Sequence, residues 1–326
     1  GTVANLEGIW AARNLKYLPL SMKRLAFDIG VDICVNLPDG KRVSIQKASQ
    51  WEILNLRVDE IVCIKERLIE AYTGKAGMPA DEAYVDIEER LSRYTISNLG
   101  IQAFFAREDI RDTGAVLTSA TAHYSLGKIA QVLGIGIDNL VPIDVDSRFR
   151  MDIKKLEEAL SSCLNKSIPV IAVIPICGSS EEGSVDPIDE VISLRQRFEE
   201  RYGMSFLVHI DAAYGGYVRT MFVDKNGRRR SRKAILAETG EWPGEEVYRS
   251  FMAFNRADSI AMDPHKLGYI PYPAGAVIFR NGKTRDIISS KAHYVFHEDG
   301  REDSYIGRYI FEGSKPGASA SACWLA

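Results

Sequence analysis

The chain has 326 residues, enough for one large α/β domain or two ordinary ones, and its 46% hydrophobic content excludes a disordered chain. The formal net charge of −3 gives no overall attraction to nucleic acid or to an anionic membrane, and no run of about 18 apolar residues predicts a transmembrane helix. The five cysteines lack CxxC spacing and the five histidines form no HExxH motif, so the sequence predicts reduced thiols in a cytoplasmic protein, without a signal peptide or a metal site.

The first predicted elements are helical. Residues 3–13 carry apolar residues at helical spacing directly after Gly1-Thr2, a small pair that suits a helix N-cap and an anion site. Residues 36–57 are mixed and polar, which indicates a loop. Two amphipathic helices are predicted near residues 58–72 and 84–98.

From residue 114 onward, strands and helices alternate. Strands are predicted at residues 114–118, 140–143, 169–174, 205–210, 259–262 and 275–279, and helices at 125–133, 152–163 and 186–202. The run at 169–174 is continuously apolar, which is typical of a strand buried on both faces. This alternation predicts an α/β fold with a mostly parallel sheet and helices on both faces.

Residues 222–257 interrupt that alternation and contain a basic run at 228–233. A basic run can bind nucleic acid, but acidic residues surround this one. We therefore interpret the segment as a solvated surface insertion.

Polar motifs follow four of the predicted strands. They are residues 119–125, 177–183, 211–216 and 263–266. Ligands of open parallel sheets bind at the carboxyl ends of the strands, so we expect these motifs to lie together with Gly1-Thr2. The set offers a phosphate cradle, a histidine (His123), a carboxylate (Asp211) and a lysine (Lys266), which are the groups that hold pyridoxal phosphate.

Lys266 is the most reactive group in this set. If it is buried at the strand end, burial lowers the pKa of its amine, which suits a lysine that forms a Schiff base. The alternative is a lysine whose ammonium reaches solvent. The tetrapeptide 263–266 alone favours that alternative, and only the accompanying motifs favour the cofactor.

The sequence resembles the group II pyridoxal-phosphate-dependent amino-acid decarboxylases, and among them the bacterial tyrosine decarboxylases. The resemblance extends from Gly1 to Ala318, and its most specific blocks are HIDAAYGGY at 209–217 and DPHKLGYIPY at 263–272. It implies the PLP-dependent transferase fold type I, with residues 1–326 as the large cofactor domain. The start at Gly1 without methionine suggests an internal piece of a longer chain, lacking the family's N-terminal arm and C-terminal small domain.

The resemblance also implies roles for individual residues. Lys266 would form the Schiff base, Asp211 would pair with the pyridine nitrogen and His123 would stack on the ring. The remaining contacts would come from Gly1 and Thr2 at the phosphate and from Ser179, Ala213 and His265 around the cofactor. For His209, a supporting role behind Asp211 and a purely structural role stay open.

Tyr294 lies in the polar segment 292–300. In the family a loop tyrosine closes over the substrate and protonates Cα, but an ordinary loop aromatic is an equal alternative. Two positions depart from the tyrosine enzymes, Pro273 in place of a small residue and Leu126 in place of tryptophan. We expect both near the cofactor or the substrate.

The resemblance implies decarboxylation of an L-amino acid, most readily an aromatic one such as tyrosine, to an amine and carbon dioxide. It also implies a homodimer with the active site at the interface. Two alternatives stay open: another reaction on the same fold, such as transamination or carbon–carbon lysis, and a cofactor-binding core that is inactive by itself. The residues do not decide which amino acid is the substrate.

Overall fold

The computed structural model describes residues 1–271, 273–290 and 306–326. Its strands are β1 (Cys34–Asn36), β2 (Arg42–Ser44), β3 (Ala115–Ser119), β4 (Leu140–Ile143), β5 (Val170–Ile174), β6 (Leu207–Ala212), β7 (Ser259–Met262) and β8 (Ala276–Phe279). Its α-helices are α1 (Thr2–Asp28), α2 (Gln50–Leu54), α3 (Val58–Ala76), α4 (Ala80–Ser92), α5 (Ile96–Leu99), α6 (Ile101–Glu108), α7 (Ser125–Val132), α8 (Ile153–Asn165), α9 (Ile188–Tyr202), α10 (Arg232–Thr239), α11 (Glu245–Met252), α12 (Lys283–Asp286) and α13 (Gly317–Leu325).

The main sheet has six strands in the order β4-β3-β5-β6-β7-β8, and β1 pairs with β2 in a separate hairpin. All neighbours in the main sheet are parallel except β7 and β8, which are antiparallel. The prediction of a mostly parallel α/β sheet is therefore confirmed. Strand β4 lies on one side of β3 and the next strand in the chain, β5, lies on the other side. The strand order therefore changes direction between β3 and β5, and open sheets bind ligands at such switch points.

Helices cover both faces of this sheet. One apolar cluster joins α1, α3 and α7 to one face, and a second joins α8, α9 and α11 to the other. Every residue of β5 and β6 is buried, because helices exclude water from both sides of these central strands.

Helix α1 is much longer than the predicted 3–13. It has 27 residues and continues through Pro19, because apolar side chains such as Leu15, Met22 and Leu25 remain buried along its full length. Packing of this face offsets the backbone hydrogen bond that proline cannot make. Across the parts of the chain that the structure describes, neither α1 nor any other helix is apolar over a length that would traverse a bilayer.

Three other predictions need correction. Residues 36–57 are not one loop, because β2 and α2 form within them, and α2 begins with a capping box between Ser49 and Glu52. The helix expected at 84–98 is α4, which ends at Ser92. The basic run lies on the surface, but the segment 222–257 is not merely a solvated insertion. Helix α10 begins within the run, α11 follows it, and both bury apolar side chains in the core.

Candidate active site

A cavity of about 260 Å³ opens at the carboxyl edge of the sheet, beside the switch point. Its walls come from the start of α1 and from the loops after β3, β5, β6 and β7. Among the residues that line it are the predicted Gly1, Thr2, His123, Ser179, Asp211, Ala213, His265 and Lys266. The fold thus brings together eight of the nine predicted site residues, and the ninth, Tyr294, lies outside the described residues.

Lys266 is half-buried, between the two alternatives that the sequence left open. Its side chain is 33% exposed, and its Nζ lies 3.4 Å from Oδ2 of Asp263, which is 1% exposed. The lysine therefore stands at an accessible wall of the cavity with its ammonium beside a buried carboxylate. The backbone nitrogen of Gly1 contacts the same carboxylate.

Asp211 lies at the end of β6 and is 5% exposed. The Ala213 backbone N–H donates to its Oδ1 at 3.1 Å. Burial raises the pKa of the Asp211 carboxyl, and this effect is opposed by the Ala213 N–H, the Asn5 amide and the positive charge of Lys266. Within the described residues, no cationic side chain forms an ion pair with Asp211. A cationic N–H group entering the cavity would therefore find an unpaired carboxylate.

His209 lies behind Asp211 and is completely buried. Its Nε2 is 3.0 Å from Oδ1 of Asn5 and its Nδ1 is 2.7 Å from Oγ of Ser259. Burial lowers the pKa of His209 to about 4, so the imidazole is neutral at pH 7. This neutral ring shares Asn5 with Asp211, as expected for a residue that supports Asp211 from behind.

Gly8 allows α1 to lie directly against His209. A Cβ at this position would stand 2.4 Å from Cε1 of the imidazole, which its two hydrogen bonds hold in place. We expect Gly8→Ala to lower the free energy of unfolding by about 1–3 kcal/mol, because the added methyl group overpacks a filled site. Chemical denaturation measures this change.

The matched control is Gly74→Ala in α3, where an added Cβ meets no atom within 4 Å. That variant should be neutral or stabilised, by up to about 1 kcal/mol, since alanine has the higher helix propensity. Equal stability of the two variants would contradict the close approach at Gly8.

The first turn of α1 forms one end of the cavity. Gly1 and Thr2 stand at the N-terminus of this 27-residue helix, where free backbone N–H groups and the helix dipole favour an anion. A Cβ on Gly1 would lie 2.8 Å from Oδ2 of Asp263 and 3.1 Å from Cβ of Ala213. Only a residue without a side chain fits this position without displacing its neighbours.

His123 stands in the loop after β3, with an exposed side chain. Its Nδ1 accepts a hydrogen bond from the backbone N–H of Ser125 at 3.3 Å and lies 2.8 Å from Oγ of the same residue. Its ring contacts Tyr124, with centroids 4.3 Å apart. The imidazole therefore lies at the edge of the cavity with an exposed surface, and a flat ring in the cavity could contact it.

Ser179 and His265 complete the predicted wall. The Ser179 hydroxyl donates to Glu182 Oε2 at 2.7 Å, within its own loop. His265 donates from Nδ1 to the Ala274 carbonyl at 2.5 Å, and its Nε2 lies 3.9 Å from Asp263. Both side chains line the cavity, but the Ser179 hydroxyl already donates its proton to Glu182 within the loop.

Sequence reasoning missed Asn5 and Asp263, and misplaced Leu126. Asn5 is a buried amide one turn after Gly1, and its only sequence signal is a polar residue on the apolar side of α1. Asp263 stands in a motif that was recognised for its lysine alone. Leu126 lies in the apolar core on the α1 face of the sheet, not beside the cavity.

Comparison with known proteins fits this geometry. Residues 101–231 match the model for the pyridoxal-dependent decarboxylase conserved domain. The whole chain aligns at 36% identity with the L-tyrosine decarboxylases of Levilactobacillus brevis and Enterococcus faecium, over 47% and 48% of their lengths. The chain belongs to the pyridoxal-dependent decarboxylase family. It spans about half the length of the curated relatives that it matches.

The fold of a pyridoxal-dependent decarboxylase is also found by structural comparison. Mouse CSAD in its apo form superposes with a TM-score of 0.50 over 69% of this chain and 40% of its own, at 22% identity. The predicted fold class, an α/β PLP-dependent enzyme fold with a mostly parallel sheet, is thereby confirmed.

The cavity has the groups that pyridoxal phosphate requires. An anion-binding helix N-terminus, an unpaired buried carboxylate and an accessible lysine line the same space, and His123 stands at its edge. These groups match, respectively, the phosphate, the pyridine nitrogen, the aldehyde and the face of the ring. The residues therefore fit the cofactor of the family.

Proposed function

We propose that this chain is the cofactor-binding part of a decarboxylase that converts an L-amino acid, most readily an aromatic one, to its amine and carbon dioxide. The observation that carries the proposal is that Asp211 and Lys266 meet in one cavity at the carboxyl edge of the sheet. The match of the whole chain to about half the length of L-tyrosine decarboxylases supports an aromatic substrate.

Each cavity residue has a defined task in this reaction. Lys266 would attach pyridoxal phosphate through its amine, and Asp263 lies 3.4 Å from that amine while it is free. Gly1 and Thr2 would hold the phosphate, and His123 and Ala213 would contact the ring. Ser179 and His265 would shape the wall beside it.

Asp211 controls the electrostatics of the reaction. Its ionised carboxylate holds a proton on the ring nitrogen. When bound, pyridoxal phosphate supplies an electron sink for the pair left on Cα as carbon dioxide departs. Holding the bond from Cα to the carboxylate in one orientation favours decarboxylation over competing reactions, so positioning by the cavity is the main contribution.

Visible absorption of the purified chain tests the cofactor. Added pyridoxal phosphate should give a yellow band that borohydride removes, leaving a stable increase in the mass of the protein. A chain that stays colourless and gains no mass does not bind the cofactor as proposed.

Product analysis then tests the reaction. Incubation of the loaded protein with tyrosine should give tyramine and carbon dioxide in equal amounts. An oxo acid as product would indicate a transaminase instead, and a loaded protein without any product would indicate an inactive core.

Tyr294 is the proposed proton donor to Cα, on the strength of the family resemblance. We expect Tyr294→Phe to bind pyridoxal phosphate as the wild type does but to form amine about 10²-fold more slowly, since a positioned general acid contributes at least that much. Stopped-flow absorption and amine assays measure the two properties. Amine formation at the wild-type rate would remove Tyr294 from the mechanism.

We further propose a cytoplasmic homodimer with the active site at its interface. All five cysteines are free, which suits a reducing compartment. Helix α13 buries none of its residues, and Trp324 on it is 88% exposed. A helix of nine residues is not stable alone, so a second copy that packs on α13 would stabilise it. Light scattering measures the mass in solution, and a monomer would contradict the dimer.

A further inference from the structure

Four buried polar side chains form a continuous series beneath the cavity. They come from three elements and are each 5% exposed or less: Ser259 of β7, His209 and Asp211 of β6, and Asn5 of α1. Buried polar groups are costly unless they are paired, and each member of this series has a partner within it.

The series has one direction. Oδ1 of Asn5 can only accept, so the Nε2 of His209 carries the ring proton and donates to it over 3.0 Å. The Nδ1 of His209 is therefore the acceptor, and it receives the Ser259 hydroxyl proton over 2.7 Å. Asn5 is left with its amide N–H groups, which lower the pKa of Asp211, a residue that lines the same cavity as Asn5. Every donor points along the series towards the carboxylate.

We propose that Asn5 is a positioning residue that keeps the Asp211 carboxylate ionised and in position to contact the ring nitrogen of the cofactor. This inference rests on the proposed function, because it assigns Asp211 to that nitrogen. His209 and Ser259 act behind it by fixing the Asn5 amide in one orientation.

The position of Asn5 on α1 strengthens the assignment. The Asn5 backbone N–H donates to the Gly1 carbonyl at 2.8 Å, so Asn5 lies one helical turn from the proposed phosphate site. The same turn therefore carries the contacts to both ends of the cofactor. Gly8 lies three residues further along α1 and allows the helix to pack against His209.

The charged and titratable groups around Asp211 define the expected pH behaviour. They are the Lys266 amine, the His209 imidazole and the Cys177 thiol, with Asp263, His123 and His265 lining the same cavity. The charge of Lys266 favours the ionised carboxylate, whereas burial opposes it. Removing the Asn5 donor leaves burial less opposed, so the pKa of Asp211 rises and the carboxylate is lost at a higher pH.

The test compares Asn5→Ala with Asn14→Ala. Both asparagines are buried in α1, but Asn14 bonds to Ser97 and to the Ile287 carbonyl, away from the cavity. Titration with pyridoxal phosphate, followed by absorption, should give a dissociation constant about 10- to 100-fold higher for Asn5→Ala than for the wild type, the scale of one hydrogen bond to a charged group. Asn14→Ala should bind as the wild type does.

The pH dependence of cofactor binding separates positioning from general destabilisation. The acid limb of this profile is the pH range in which binding is lost as the pH falls. It should move to higher pH in Asn5→Ala and stay unchanged in Asn14→Ala. Should Asn5→Ala fail to fold, Ser259→Ala serves instead, and it should move the acid limb in the same direction by less.

Two results would overturn the inference or its basis, and they are distinct. If the wild type binds pyridoxal phosphate but the folded variants at Asn5 and Ser259 share its dissociation constant and acid limb, the positioning role of Asn5 is wrong. If the wild type does not bind pyridoxal phosphate at all, the proposed function fails first.

Discussion

We expect Lys266→Ala to abolish the borohydride-stable attachment of pyridoxal phosphate and to lower amine formation by up to about 10⁶-fold, the scale seen when a catalytic nucleophile is removed. The reason is that no other group is proposed to attach the cofactor covalently. Intact mass after borohydride treatment measures the attachment, and an amine assay measures the activity. Residual non-covalent binding through the phosphate and ring contacts should remain.

Two controls isolate the chemistry of Lys266. In the wild type the Lys266 amine lies 3.4 Å from Asp263, and Lys266→Arg keeps a cation at this position. The guanidinium provides no amine for attachment, so this variant should fail as Lys266→Ala does. Lys128→Ala removes an amine on α7 that lies over the Tyr124 ring and should keep the attachment. A borohydride-stable adduct in Lys266→Ala would move the attachment to another residue.

Asp211→Asn should lower amine formation by about 10²–10³-fold, as expected when one preorganised electrostatic partner is removed. An amide cannot hold a proton on the ring nitrogen as a carboxylate does. The same change removes a buried carboxyl whose pKa is raised by burial, so the cofactor-free chain should be as stable as the wild type or more stable. Differential scanning fluorimetry with and without pyridoxal phosphate measures both effects.

Asp186→Asn is the matched control for this prediction. Asp186 is a second buried carboxylate at the same edge of the sheet, and burial raises its pKa to about 6. It accepts backbone N–H groups of Met151 and Ile176, each at 2.7 Å, and it does not line the cavity. Its variant should be less stable, because an amide has only one oxygen for the two N–H donors that the carboxylate pairs, yet it should keep the stabilisation by pyridoxal phosphate. A normal response to the cofactor in Asp211→Asn would contradict the role given to Asp211.

Strong local patterns made much of the fold predictable. The apolar run at 169–174 has one stable outcome, a strand covered on both faces, and β5 is completely buried. The first 30 residues were less predictable, because Pro19 is a local signal against a helix and only the packing of α1 on the sheet outweighs it.

For the site, the sequence by itself determined which motifs follow the strands, since the carboxyl ends of parallel strands must share one edge. That rule identified Asp211 and Lys266 as neighbours before any coordinate was known. Tertiary structure alone decided how exposed Lys266 is and that Asp263 stands beside it. It also decided that Asn5 on α1 reaches His209, 204 positions away. The contact between Asn5 and His209 joins segments that are remote in the chain, and its geometry depends on how α1 packs on the sheet, which no local pattern encodes.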